Sequence, residues 1–299
     1  MRLRPLAALS MYLCVSAAPW ASAQAPDTAG WNKPVEPFRI VGPVHYVGTN
    51  ELAAYLIATP QGHVLIDGGL PESAPLIEKS IRALGFDPAA IEVLLTTQAH
   101  FDHVGSLAAL QKTSGGRVAV MDGDVSIVES GGRTDYLFGE GAARAGLRYR
   151  FDPVKVDRTL HDHDTVTLGG LTLTARKTPG HTPGSTTWLT TVPDAGKPRL
   201  VVFAASTGIN PGTRLADRPS YPGIAGDFAR AFEVLESLKP DVFLGAHTSF
   251  FHMEEKRAKL GQGGENPFVD PEAFKSHVSA RKRAFQQQLA DERAAASRP

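Results

Sequence analysis

The chain places its strand signals in two separate blocks, and this restricts the folds open to it. Residues 45–69, HYVGTNELAAYLIATPQGHVLIDGG, hold two apolar strands joined by a turn at Pro60-Gln61-Gly62. Residues 165–191, TVTLGGLTLTARKTPGHTPGSTTWLTT, then RLVVFAAS at 199–206, repeat that habit. The alternation of apolar and polar residues in TVTLGGLTLTA is strand-like. Helical patterns follow each block. SAPLIEKSIRALG has apolar residues at helical spacing and ends on Gly85, a C-cap residue. VGSLAALQKTSGG reads as one helix with a glycine stop, GDFARAFEVLESL as an amphipathic helix, and residues 271–296 as a long charged helical tail. IEVLLTT, RVAVMDGD and DVFLGA are short buried strands. Two sheets with helices outside both predict a four-layer αββα sandwich of the α/β class, rather than one doubly wound sheet. No stretch is rich enough in Pro, Gly or Ser to split the chain. At 299 residues and 42% hydrophobic, it can bury a large core.

The first 23 residues read as a secretory leader. Arg2 and Arg4 precede a short apolar run, well below the roughly 20 residues a spanning helix needs. Ala21 to Ala23, ASA, is a small-x-small cleavage pattern, so a mature domain over 24–299 in the periplasm is expected. The only cysteine, Cys14, lies inside the leader, and MYLC lacks the small residues that precede a lipidated cysteine. The mature chain then has no thiolate to offer, and any metal must be held by His, Asp, Glu or an amide oxygen. With 31 acidic and 31 basic side chains, nothing electrostatic calls for nucleic acid or an anionic membrane as partner.

TTQAHFDHVG, residues 96–105, packs ligand-type side chains where a buried strand gives way to a helix. A strand end is rigid, which a metal site needs. Gln98 and His100 lie at spacing two and can face one side of an extended loop. Asp102 and His103 are adjacent and diverge, so one loop can feed two neighbouring metal positions. His181, in TPGHTPGSTTW, and His247, after DVFLGA, also sit where strands end and complete the candidate site. His161 and His163 in LHDHD read as a solvated turn, and His45, His63, His252 and His277 as structural or surface residues.

From about residue 41 to 251 the pattern resembles the metallo-β-lactamase superfamily. The likeness is carried by LIDGG, QAHFDHVG, TPGHTPGS and His247. GGRTDYLFGE, and INPG followed by YPGIAGDFARAFEVLESLKPDVFLGAH, are most similar to class B β-lactamases of the third subclass. The resemblance implies one or two zinc ions in a shallow groove. It assigns Gln98, His100 and His181 to a first site and Asp102, His103 and His247 to a second. Gln98 departs from the family's usual histidine, although some members of the subclass carry glutamine there. A neutral amide oxygen is a weaker donor than imidazole, so the first site is expected to bind its metal less firmly.

The implied reaction is hydrolysis of the β-lactam amide by a zinc-activated water that Asp102 orients, in a monomer acting on a small molecule. Ser206 and Thr207 would hold the substrate carboxylate, and Tyr136, with Phe138, would line a loop over the groove. Thiolester hydrolases and lactonases of the superfamily generally carry a metal-bridging aspartate where this chain reads Ala204, Ala205, Ser206 and Thr207, without a carboxylate. Two rival readings stay open: a secreted hydrolase of lactones or other esters, and a metal-binding protein without activity.

Overall fold

The computed structural model describes residues 28–141 and 149–297. The leader expected over 1–23, with Cys14, lies outside them. The first sheet runs in chain order: β1 (Phe38–Val41), β2 (Val44–Tyr46), β3 (Tyr55–Thr59), β4 (Gly62–Ile66), β5 (Ile91–Leu95), β6 (Arg117–Met121) and β7 (Arg158–Leu160). β1 to β4 are antiparallel neighbours, and β4 to β7 are parallel. The second sheet holds β8 (Thr165–Leu168), β9 (Leu171–Lys177), β10 (Thr186–Asp194), β11 (Lys197–Ala204) and β12 (Val242–Gly245), with only β11 and β12 parallel.

Strand alternation decides which side each residue buries. Val64, Ile66, Val93 and Leu95 point into the core shared with Trp188, Phe203 and Val201 of the second sheet. Leu65, Leu94, Val118 and Val120 point the other way, into a second apolar group with Ile77, Ile81, Leu107 and Leu110. Those last four belong to α2 (Ala74–Ala83) and α4 (Leu107–Ser114), which cover the outer face of the first sheet. α6 (Ile224–Ser237) and α8 (Pro271–Ala296) cover the second, where Phe228 of α6 stacks on Phe285 of α8 at 5.6 Å. The four layers are therefore α, β, β, α. Burial of strands on both faces explains why Val93–Leu95 and VFLG read as continuous apolar runs.

α1 (Thr28–Trp31), α3 (Phe101–Val104), α5 (Val125–Glu129) and α7 (Met253–Lys259) complete the helices described. The single helix expected over VGSLAALQKTSGG differs from the structure. A helical turn, α3, already begins at Phe101, and α4 restarts at Leu107. The break falls at Gly105, whose N–H donates to Gly69 O at 2.9 Å. A Cβ there would lie 2.3 Å from Phe101 O and 2.5 Å from Pro71 N, so only glycine lets the two segments pass.

Candidate metal centre

Every candidate ligand sits at one rim of the sandwich. Gln98 and His100 follow β5, Asp102 and His103 lie in α3, His181 is in the β9–β10 turn, and His247 follows β12. The two sheets are fastened together at this rim. Thr186 N donates to Thr97 O at 2.7 Å, and Trp188 Nε1 to Thr96 O at 2.9 Å. Leu52 and His247 form a β-bridge, so the first sheet also grips the strand end that presents His247.

Asp102, His103 and His247 each offer a ligand atom, and all three atoms lie within 4.8 Å of one another. His103 Nε2 is 3.4 Å and His247 Nε2 3.6 Å from Asp102 Oδ2. The sequence reading had Asp102 and His103 diverging. The helical turn instead brings them together. Beside this group, His100 Nδ1 and His181 Nε2 face each other at 3.1 Å. Ligand atoms on adjacent corners of a zinc tetrahedron, with bonds of about 2.0–2.1 Å, lie about 3.3–3.4 Å apart. Both groups are therefore spaced for a metal ion.

Each imidazole is held from behind. His100 Nε2 lies 3.3 Å from Asp135 Oδ2, and His181 Nδ1 donates to Gly208 O at 2.7 Å. His103 Nδ1 lies 3.5 Å from Asp67 Oδ2, and His247 Nδ1 3.5 Å from Glu51 Oε1. Such partners fix the ring orientation and point the other nitrogen inward. For His100 and His181 the result is two inward nitrogens at 3.1 Å, a pairing that either a shared proton or a metal ion satisfies. Asp135 and Glu51 carried no sequence signal; only the folded contact reveals them. Asp67 adopts φ 63°, a left-handed conformation unusual for aspartate, and accepts from Thr97 N at 2.7 Å and Thr97 Oγ1 at 2.6 Å.

The site's charge balance follows from these pairs. Burial disfavours charge on His103, but Asp102 and Asp67 outweigh it and hold its pKa up at about 10. Burial likewise opposes the charge on Asp102, yet His103 and the other histidines hold its carboxyl far below the usual range. Burial, then His100, pushes His181 down to about 3, which keeps it a neutral imidazole. Gln98 Nε2 and Ser206 Oγ are buried without a hydrogen-bond partner, and the ring nitrogens of His103 meet only the carboxylates of Asp67 and Asp102, at 3.5 and 3.4 Å. Orphaned polar atoms at a centre this well supported are what an ion or a bound molecule would satisfy.

Gln98 stands differently from the histidines. Its Oε1 accepts from Ser206 N at 2.7 Å, which leaves the amide nitrogen on the free side. In this arrangement Gln98 clamps the end of β11 and spends one of the two lone pairs of the oxygen that it would offer to a metal. Ser206 and Thr207 are buried beside it. Tyr136 OH donates to His181 O at 3.0 Å, and its ring packs edge-on against Tyr221, so it braces the His181 turn. Phe138 packs edge-on against His100 at 5.1 Å. A further carboxylate, Asp124, ties the two ligand loops together. It accepts from Ala99 N at 2.8 Å, Thr182 Oγ1 at 2.7 Å and Gly184 N at 2.7 Å, while burial raises its pKa to about 6. Of the other histidines, His161 and His163 are about two-thirds exposed, and His45 and His63 flank Phe86.

A family model described as Metallo-beta-lactamase superfamily matches residues 52–247. The native FEZ-1 metallo-β-lactamase from Legionella gormanii superposes with a TM-score of 0.83 at 40% identity, covering 88% of this chain and 98% of that one. BJP-1, a subclass B3 metallo-β-lactamase of Bradyrhizobium japonicum, gives 0.82 at 37% identity, covering 90% and 98%. Among curated proteins, a probable metallo-hydrolase of Burkholderia pseudomallei is 31% identical over 172 residues, 56% of this chain and 54% of its own length. The N-acyl homoserine lactonase AttM of Rhizobium radiobacter is 29% identical over 180 residues, 51% of this chain and 64% of its own. The matches thus span only about half to two-thirds of these curated relatives.

Proposed function

The chain belongs to the metallo-β-lactamase superfamily, and on that premise we propose that it is a zinc-dependent hydrolase of the β-lactam amide. The observation that carries this reading is the likeness over 98% of two metallo-β-lactamases at 37–40% identity, whereas the lactonase likenesses cover 64% and 79% of their relatives at 29% and 24% identity. The carboxylate-free run Ala204-Ala205-Ser206-Thr207 at the end of β11 supports it.

Bound zinc would polarise the lactam carbonyl and activate a water for attack. The protein's part is to hold and orient. His100 and His181 would hold one position, with Gln98 as a weak third ligand through its other lone pair. Asp102, His103 and His247 would hold the other. Asp102 Oδ2, within 3.6 Å of both imidazoles, would accept a hydrogen bond from the attacking water and fix its direction. Ser206 Oγ and Thr207 Oγ1 would receive the substrate's carboxylate, and Tyr136 would keep His181 in place behind it. No nucleophilic side chain is required. The leader expected over 1–23 would deliver the enzyme to the periplasm; among the described residues no helix is long and apolar enough to cross a membrane.

The second reading is lactone hydrolysis, favoured by the curated lactonases. Turnover of a penicillin and a carbapenem, measured beside that of an N-acyl homoserine lactone on zinc-loaded protein, decides between them. Lactone turnover with no lactam turnover would overturn the proposal. Asp102→Ala should cut lactam kcat/KM by about 100-fold or more, since it removes a ligand and the water's orienter together. Activity within a few-fold of the parent would contradict the assigned role.

A further inference from the structure

The tail helix α8 reaches the rim of the metal centre. Arg281, midway along it, lies with Cζ 5.1 Å from the centre of the Phe250 ring, and Phe250 in turn packs against His247 at 5.0 Å. On its other side the guanidinium meets the chain that leaves β11. A Cβ placed on Gly208 would sit 3.8 Å from Arg281 Nη1, the nearest heavy atom. The guanidinium thus stands at van der Waals distance from the place a Cβ would take at 208. Gly208 directly follows Ser206 and Thr207, and its carbonyl holds His181. Arg281 therefore lies between the turn after His247 and the strand end that carries Gly208.

Its charge is not committed elsewhere. Among the described residues no carboxylate pairs with Arg281, whereas the next residue, Lys282, is taken by Glu236 at 2.7 Å. The Phe250 ring fixes the stem and leaves the donor fork free, since stacking on a face uses no N–H. A planar fork of donors near the strand end that carries Ser206 and Gly208 matches a carboxylate, which takes two parallel hydrogen bonds from guanidinium.

We propose that Arg281 binds the carboxylate of the substrate, in concert with Ser206, and sets a preference for anionic substrates. This deepens the hydrolase reading and names a contact from the tail helix that the ligand loops do not supply.

The test separates this contact from the identity of the substrate. The zinc-loaded protein is titrated with 3-mercaptopropionate and with its methyl ester, whose thiols take the metal whatever the natural substrate is. Wild-type protein should bind the carboxylate more tightly than the ester. Arg281→Ala and Arg281→Gln should each erase about tenfold of that preference while leaving ester affinity and bound zinc unchanged. Arg281→Lys should restore part of it. The same variants should raise KM for a penicillin more than they lower kcat. A wild type that turns over no lactam would sink the lactam reading and leave this contact to be judged by the thiol probes. An unchanged carboxylate preference in Arg281→Ala, or equal weakening of both probes because Arg281 merely supports Phe250 and His247, would overturn the proposal.

Discussion

His103 is the residue whose state most depends on what fills the centre. Without metal its raised pKa, about 10, keeps it protonated throughout the neutral range. That proton occupies the place an ion would take. Its folded pKa lies above the unfolded 6.5, so the stability it gives the metal-free protein is complete below 6.5 and lost as pH rises through about 10. A metal needs the neutral ring, so zinc must displace this proton. We predict that zinc binding releases at least one proton near neutrality and tightens about tenfold per pH unit for each proton released. Calorimetric titrations in buffers of different ionisation enthalpy measure the release; no release would contradict it. Gln98 carries the second residue-scale prediction. Gln98→His should raise zinc bound per chain at limiting metal, because imidazole is the stronger donor. Gln98→Ala should lower it only if the amide oxygen ligates. If zinc binding is unaltered, Gln98 is a clamp on β11 and nothing more.

At the scale of elements, the loops carrying ligands are fixed by one buried carboxylate. Asp124 stands at the N-cap position of α5, and its carboxylate accepts from the β5 loop and the His181 turn at once. In Asp124→Asn one of the two oxygens becomes an NH2 and must face a buried donor. We predict a loss of about 1–3 kcal/mol in urea unfolding, without loss of the fold. A variant as stable as the parent would show that the loops are held otherwise. The same elements show how far sequence carries. Strands buried on both faces, the tail helix and the gathering of His and Asp side chains at the strand ends were legible, because their signals are runs, periods and clusters of rare residue types. β1, β2 and β7 were not, since three or four residues hold too little pattern. Neither were Asp135 and Glu51, whose roles exist only through contacts with residues far away in sequence. The split between α3 and α4 escaped because it depends on Gly105 passing close to Leu70 and Pro71.

For the whole molecule, the centre lies across the joint between the sheets. Gln98 to His103 come from the first sheet, His181 and His247 from the second. Zinc would therefore link the two, and its binding energy adds to folding stability. Chelation should lower the thermal midpoint by about 10 °C at zinc levels about a thousandfold above Kd, and re-addition should restore it. A midpoint indifferent to chelator would mean that the joint holds without the ion. This shared ownership also has a history within each molecule's life. A ribosome delivers residues 98–103 long before it delivers His247, so the early half emerges with an incomplete set of ligands. Capture of an ion between Asp102, His103 and His247 would then be a late event, possible only once the last strand has closed against the first sheet. An ion held at that position would be taken from the surroundings in which the chain finishes folding, whatever ions were present where it was made.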